Sequence, residues 1–192
     1  MIQVQRRTAV LLGVLAGGGL AATTRAAWVR ASTPDITGAV AQVPVTGADA
    51  APAVLALALV AIAAAIVTAM GGKRLRLATA PLLAASGIGA IAAIVAVLTD
   101  PSAAAAGPVA EQTGVSGTDL RATVSAWPWI GMLAAALVIV DAMVILLAGR
   151  SWTTTAKYER AAERVEDPRT DPAAAWDALS RGEDPSGPPP GT

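Results

Sequence analysis

The chain has 192 residues, of which 54% are hydrophobic and only 15% charged, and its mean hydropathy is +0.57. This average is too apolar for a soluble domain, so the composition indicates a membrane protein. With 14 basic and 14 acidic residues, the chain lacks the basic excess that binds nucleic acids. Cysteine and histidine are absent, which excludes disulfides and the commonest zinc and haem ligands, so we expect no metal and no cofactor.

Four nearly uninterrupted apolar runs have the length that a helix needs to cross a bilayer, about 20 residues. They show no continuous polar stripe at helical spacing, whereas a soluble four-helix bundle would need a polar face on every helix. We therefore predict an all-α polytopic integral membrane protein, with a four-helix transmembrane domain over residues 1–150 and a cytoplasmic tail over residues 151–192. The predicted spans are residues 8–24, 52–70, 77–98 and 129–148.

Basic residues near the span ends predict the direction of each crossing, because Lys and Arg resist translocation. Nine of them fall on one side of the membrane and three on the other. The sequence therefore predicts a plasma-membrane protein with both termini in the cytoplasm and a tight cytoplasmic turn at residues 71–76. The nine are Arg6, Arg7, Lys73, Arg74, Arg76, Arg150, Lys157, Arg160 and Arg164, and the three are Arg25, Arg30 and Arg121.

The first span also has features of a signal peptide, because Arg6 and Arg7 precede about 14 apolar residues and small residues follow. Cleavage would leave three spans and an N-terminus outside. We favour retention of the span, since Arg25, Trp28 and Arg30 follow it directly and a tryptophan there suits an interfacial anchor.

Glycines in the first and third spans mark candidate helix contacts within the membrane. Helices in lipid gain no hydrophobic drive from contacting each other, so small residues that let backbones approach closely take over that role. Gly13 and Gly17 lie four residues apart in the first span, and Gly87 and Gly89 lie in the third. We predict helix packing at these four positions.

Asp141 is the only ionisable residue inside a predicted span, 12 residues after Trp129 and 9 before Arg150. It therefore lies close to mid-membrane, roughly 13 Å from the cytoplasmic end of its helix. The same depth counted inward from Leu98 in the third span falls on Ser86. We predict that Asp141 and Ser86 form an intramembrane polar contact.

Two interpretations of Asp141 remain open. In the first, the carboxyl group is a proton or cation relay, or a contact for a substrate ammonium group. In the second, it is a protonated acid that bonds to Ser86 or to a backbone carbonyl and holds the third and fourth spans together. We prefer the second, because the spans contain no Lys, Arg or second acid to complete a relay.

The two outside loops, residues 25–51 and 99–128, are rich in Ala, Gly, Pro, Ser and Thr. We expect them to be mostly irregular, with residues 39–46 compatible with a short extended stretch. Tryptophans at the span boundaries are predicted as interfacial anchors in preference to ligand-stacking residues. They are Trp28, Trp127, Trp129 and Trp152.

The tail carries mixed charges at helical spacing over residues 153–166, which favours an amphipathic helix at the membrane surface. A second short helix is delimited by Asp171 and Pro172 at its start and by Gly182 just past its end. Trp176 and Leu179 form an exposed apolar pair on it. Because a lone short helix is marginal in water, we expect it to order against a partner or the bilayer, with residues 184–192 disordered.

Several short motifs stand in a fixed order around the four spans. They are Arg6-Arg7, Trp28, residues 45–52 leading into span two, Trp127-Pro128-Trp129, Arg150-Ser151-Trp152, Tyr158-Glu159-Arg160 and the tail run 176–185. Together they resemble the tryptophan-associated transmembrane proteins of actinobacteria, also described as tryptophan-operon conserved membrane proteins. The resemblance covers nearly the whole chain. It implies a four-span plasma-membrane protein whose gene tends to lie beside tryptophan biosynthesis genes, and it brings no catalytic residues.

The sequence is compatible with three classes of function. The preferred one is a non-enzymatic scaffold or regulatory subunit whose tail pair, Trp176 and Leu179, recruits a membrane or cytoplasmic protein. The alternative is a small transporter or transporter accessory for an amino acid or related metabolite, with Asp141 as its polar site. It would be a homo-oligomer, because four short spans offer little interior for a pathway. A membrane enzyme is disfavoured, since a lone acid leaves no nucleophile and base.

Overall fold

The computed structural model describes residues 5–34, 40–70, 73–113 and 120–148, together with Trp176, Leu179 and Ser180. Its contacts divide the chain into two compact units, Met1–Trp152 and Thr153–Thr192. The elements described in the first unit are α1 (Arg6–Thr23), β1 (Ala27–Pro34), β2 (Val40–Thr46), α2 (Gly47–Ala50), α3 (Pro52–Met70), α4 (Lys73–Thr99), α5 (Pro101–Thr113), β3 (Arg121–Val124) and α6 (Trp127–Ala148).

The four long helices form a bundle in which α1 and α4 each pack against both α3 and α6. The guanidinium of Arg6, at the start of α1, donates to backbone carbonyl oxygens of Thr68 (Nη2···O 3.0 Å) and Ala69 near the end of α3. A cation is favourable there, because the last carbonyls of a helix carry partial negative charge. The contact brings the start of α1 to the same end of the bundle as the end of α3.

Small side chains fill the interior of the bundle. Along each of the four helices the buried residues recur at alternating steps of three and four, the spacing of a heptad seam. Most of them are Ala, Gly, Ser or Thr, which let helix backbones approach closely without a hydrophobic drive from water. The seam is Ala9, Gly13, Ala16, Leu20 and Thr23 in α1, Val54, Ala58, Ala61, Ala65 and Thr68 in α3, Leu83, Gly87, Ala90, Ile94 and Val97 in α4, and Gly131, Ala135, Val138, Ala142 and Ile145 in α6.

Large aliphatic side chains cover the outside of the same bundle. A soluble protein buries such residues and rarely exposes large contiguous apolar patches, so this arrangement suits a hydrocarbon environment. Among the described residues, three helical segments are long and apolar enough to cross a membrane: Pro52–Met70, Leu77–Thr99 and Trp127–Leu147. They fall on the second, third and fourth predicted spans. Helix α1 coincides with the first apolar run but is not among the three.

The first predicted outside loop, residues 25–51, was expected to be irregular but contains two strands, so the fold is mostly helical and not all-α as predicted. Strands β1, β2 and β3 form an antiparallel sheet in the order β2-β1-β3, so β1 is central and pairs with both others. The extended stretch expected at residues 39–46 is present as β2. Its Pro44 is compatible with pairing because β2 is an edge strand, where one face of the backbone needs no ladder partner.

The second predicted outside loop, residues 99–128, is also more ordered than expected, because it contains α5 and β3. Asp100 caps α5 by accepting from the backbone N–H of Ala103 (2.9 Å), and Pro101 takes the first helical position. Ala105 and Val109 on α5 are buried in the same apolar cluster as the sheet residues Val29 and Val45. The prediction failed because both loops supply only short apolar patches, which become a core once they pack together.

Candidate functional site

The Asp141 carboxyl group lies inside the bundle, where α6 meets α1. The residue is 2% exposed and is followed directly by the seam residue Ala142. A Cβ atom placed on Gly13 would lie 2.5 Å from Oδ2 of Asp141 and 2.8 Å from the Cβ of Ala65. Asp141 therefore packs directly against the backbone of α1, at a point where any side chain on that helix would collide with it.

The predicted contact between Asp141 and Ser86 is not formed. Neither carboxyl oxygen of Asp141 has a hydrogen-bond partner among the described residues, and the hydroxyl of Ser86 donates to the carbonyl of Leu82 at 2.8 Å. Serine commonly bonds back to the carbonyl four residues earlier in a helix. The rotation of α6 explains why Asp141 does not reach Ser86. Ile139 contacts α4 at Gly87, and Asp141 lies two residues, or about 200°, further round the helix, so it faces α1.

An apolar groove of about 310 Å³ opens between α1 and α6 and reaches Asp141. On the α1 side it is lined by Leu12, Leu15, Ala16 and Gly19. On the α6 side its lining includes Leu133, Leu137, Val140 and Val144. Apart from Asp141, every lining residue is apolar, so the groove is an aliphatic wall with one polar residue, whose two carboxyl oxygens are themselves buried.

All four predicted packing glycines lie where another helix approaches. In addition to the Gly13 contact, a Cβ on Gly17 would lie 2.8 Å from Cγ1 of Ile62, and one on Gly87 would lie 2.6 Å from Cγ1 of Ile139. A Cβ on Gly89 would lie 3.0 Å from Cδ1 of Leu57, which belongs to a flexible side chain end. Gly13, Gly17 and Gly87 therefore hold the closest helix approaches of the four.

The prediction of Trp28 as an interfacial anchor is wrong, because its side chain is 0% exposed. The pairing register of β1 shifts between Ala27 and Val29, and such a bulge lets two consecutive residues point inward. The indole Nε1–H donates to the carbonyl of Thr23 at 2.8 Å, and a Cβ on Gly47 would lie 2.5 Å from the ring. Trp28 is thus a core residue that joins the sheet to the end of α1.

The other tryptophans differ from Trp28. Trp127 and Trp129 at the start of α6 are exposed, as an interfacial position requires, and their anchoring role stays a prediction. Trp152 lies outside the described residues. In the second unit, Trp176 and Leu179 are helical and 74% and 54% exposed. The predicted amphipathic helix over 153–166 and the disorder over 184–192 also fall outside the described residues.

Sequence reasoning did not single out a buried polar contact between α3 and α4. The hydroxyl oxygens of Thr68 and Thr79 lie 2.8 Å apart, and Thr68 also donates to the carbonyl of Ala64 at 2.8 Å. The sequence does contain a signal for this contact, because each threonine interrupts an apolar run near the predicted turn at residues 71–76. Hydroxyl contacts of this kind hold membrane helices together, so we assign this pair to the hairpin and not to a ligand site.

The arrangement around Asp141 has the elements of a binding site. In the described parts of the chain, no three acidic, histidine or cysteine side chains come together as metal ligands. The groove supplies an acceptor oxygen and an apolar wall, which are sufficient to hold and orient a molecule. The site therefore has the character of a recognition site.

These features define an integral membrane protein of the helical-bundle class: a core of small residues, an aliphatic exterior, and three membrane-length helices. The model of one family, described as tryptophan-associated transmembrane protein, matches residues 10–186. The chain belongs to this family, which confirms the resemblance drawn from its motifs. Neither a curated protein nor a solved structure matches the chain.

Proposed function

We propose that this protein is a non-enzymatic accessory or regulatory subunit of the plasma membrane, associated with tryptophan metabolism, and that its tail recruits a protein partner. The observation that carries the proposal is the exposed pair Trp176 and Leu179. Both residues are helical and exposed, and they lie three positions apart in the sequence, the spacing at which side chains of a helix are neighbours. An exposed tryptophan beside an exposed leucine on a helix is the type of anchor that fits a groove in a partner.

The geometry of the membrane unit supports binding over catalysis or axial passage. The groove that reaches Asp141 runs between two adjacent helices, α1 and α6, and its lining comes from these two alone. It therefore opens sideways from the bundle. A lateral opening suits a molecule that enters from the bilayer. Catalysis would need a second reactive group beside the carboxyl group.

Crosslinking in native membranes followed by mass spectrometry tests the tail proposal. We expect one or more proteins crosslinked to the wild type to be lost from the double variant Trp176→Ala, Leu179→Ala and from a chain lacking residues 168–192. Ser180→Ala changes an exposed residue of the same segment, leaves the apolar pair intact and serves as the matched control, with crosslinks unchanged. Identical crosslinked proteins in all four chains would reject a recruiting role for the tail.

We further propose that α1 is a fourth span and that both termini are cytoplasmic. Two observations support this: α1 packs against α3 and α6, and Arg6 contacts the end of α3, close to the basic residues that begin α4. Lys and Arg retain such an end in the cytoplasm. The opposite end, with the sheet and α5, would then face outward.

Single-cysteine variants test this topology. The chain contains no cysteine, so only the introduced residue can be labelled. With a membrane-impermeant maleimide, Glu111→Cys on α5 should be labelled in intact cells. Gln5→Cys and Ser180→Cys should be labelled only after the membrane is permeabilised. Labelling of Gln5→Cys in intact cells, or its absence from the mature chain, would contradict a retained first span.

A second candidate function is transport, as a homo-oligomer, of an amino acid or related metabolite. The observation in its favour is the buried carboxyl group of Asp141 without a hydrogen-bond partner in a helix of membrane length. Uptake and efflux in a deletion strain, complemented with wild type or Asp141→Asn, test it. Transport requires a flux that disappears in the variant while the amount of protein in the membrane is unchanged.

A further inference from the structure

We propose that the groove between α1 and α6 is a binding site for a small, neutral, apolar molecule that carries one hydrogen-bond donor, and that Asp141 accepts this hydrogen bond. The molecule would enter from the bilayer. The proposal does not depend on the recruiting role of the tail, since groove and tail belong to different units of the chain.

The gradient of burial along the groove indicates its mouth and its inner end. Leu15 on α1 and Leu133 on α6 are 70% and 64% exposed, and both line the groove. Ala16 and Asp141 line it too but are almost completely buried. The polar group therefore lies at the inner end, and the aliphatic side chains form the entrance.

The unpartnered carboxyl group is the reason to expect a ligand and not only a packing defect. A buried polar group without a hydrogen bond is costly and rare, and most are satisfied by protein, water or ligand. Asp141 faces Gly13 on one side, where there is no room for a donor, and the groove on the other. The groove is therefore the side from which a donor can approach the carboxyl group.

The chemistry of the lining favours a neutral ligand with one donor. A carboxyl group keeps an acceptor oxygen in either protonation state, so an N–H or O–H of the ligand is complementary to Asp141 in both. An ammonium group would bring three donors to a wall that offers a single polar group, and a cation in hydrocarbon is costly. The lining contains no second charged side chain to share that cost.

The volume limits the size of the ligand. An apolar cavity of about 150 Å³ accommodates benzene. A groove of about 310 Å³ therefore suits one or two fused rings. Indole combines this size with a single N–H donor at the ring edge, and 1-methylindole has nearly the same shape without the donor. The two compounds form a matched pair of probes.

Two neighbouring glycines provide a matched pair of variants. A Cβ on Gly18 or on Gly19 would meet no atom within 4 Å, so both positions have room for a side chain. Gly19 lines the groove and Gly18 does not. Gly19→Leu should fill the groove, and Gly18→Leu should place the same side chain on α1 outside it.

The experiment measures binding of 5-fluoroindole by fluorine NMR to the full chain in nanodiscs, with empty nanodiscs as the background for partition into lipid. We expect a saturable signal that unlabelled indole displaces about three- to tenfold more effectively than 1-methylindole, the ratio that one hydrogen bond gives. Gly18→Leu should bind as the wild type does, and Gly19→Leu should lose the saturable signal. Asp141→Leu should abolish the preference for indole.

Three results would overturn the proposal. The first is the absence of a saturable signal with the wild type. That result would mean that the groove does not bind the probe, including the cases in which a lipid chain or a second copy of the protein fills it. The second is equal displacement by indole and 1-methylindole, which needs no variant and so does not depend on folding. The third is unchanged binding by Gly19→Leu, which would place the bound probe elsewhere.

Discussion

The carboxyl group of Asp141 occupies the space that a side chain on Gly13 would need. The two residues lie on different helices, and a Cβ on Gly13 would come within 2.5 Å of Oδ2. An acid and a glycine that are more than 120 positions apart in the sequence are therefore sterically coupled. This contact limits how closely α1 can approach α6 at Gly13 and places the carboxyl group at the groove.

Gly13→Ala should destabilise the bundle. The added methyl group would also lie 2.8 Å from the Cβ of Ala65, so at least one helix must move. Overpacking of this kind costs about 1–3 kcal/mol. The free energy of unfolding, measured by denaturation in mixed micelles, should fall by that amount. Gly18→Ala adds the same methyl group in open space and should be neutral or slightly stabilising. Equal stability of the two variants would show that the contact at Gly13 is not tight.

Trp28→Ala should be among the most destabilising substitutions in the chain. It removes a fully buried indole together with its hydrogen bond to Thr23, and large-to-small changes of this type cost about 3–5 kcal/mol. Thermal unfolding in nanodiscs measures the loss. Trp129→Ala is the control, because that side chain is 61% exposed and its removal should change the protein's own stability little. A similar small effect of both substitutions would contradict a core position for Trp28.

Thr68 and Thr79 should be energetically coupled across the α3–α4 hairpin. Hydrogen bonds between membrane helices contribute about 0.6 kcal/mol on average, so a double-mutant cycle with Thr68→Val and Thr79→Val should give a coupling of that size. Thr99 provides the control, since its hydroxyl bonds only to carbonyls of its own helix among the contacts described. A cycle of Thr68→Val with Thr99→Val should give no coupling. The prediction is refuted if both cycles agree.

The cap of α5 should make stability depend on pH in the acid range. The backbone N–H of Ala103 and the hydroxyl of Ser102 donate to Asp100 and hold the pKa of its carboxyl below the usual value. Because the pKa is lower in the folded than in the unfolded chain, the carboxylate stabilises the fold above the unfolded value of about 4. This contribution is lost as the pH falls through the lower, folded pKa.

Asp100→Asn isolates that effect. Asparagine also caps helices but does not titrate, so the difference in melting temperature between wild type and variant should be constant from pH 7 to about pH 5 and change in favour of the variant at lower pH. Melting curves between pH 3 and pH 7 provide the measurement. Parallel pH profiles for the two proteins would mean that the cap contributes nothing that depends on charge.

The two predicted outside loops show where the prediction from sequence failed and why. Val43 and Val45 in β2, and Val29 and Ala31 in β1, do alternate with more exposed residues, but each run is too short to predict a sheet by itself. The sheet forms because the three strands pair and pack on α5 and on the end of the bundle. The same assembly encloses Trp28, whose position after an apolar run is equally typical of a residue at the membrane surface.

The sequence alone determined the second, third and fourth membrane-length helices, because an apolar run of sufficient length predicts a span whatever it packs against. It also determined the family, through motifs whose order is readable without a structure. Only the tertiary structure decided which face of each helix is buried. In this bundle both faces of each helix are largely apolar and the interior differs mainly in side-chain size, so the rotation of a helix is set by its neighbours. For this reason Asp141 meets Gly13 and not Ser86, although the depth of the carboxyl group could be counted along the chain.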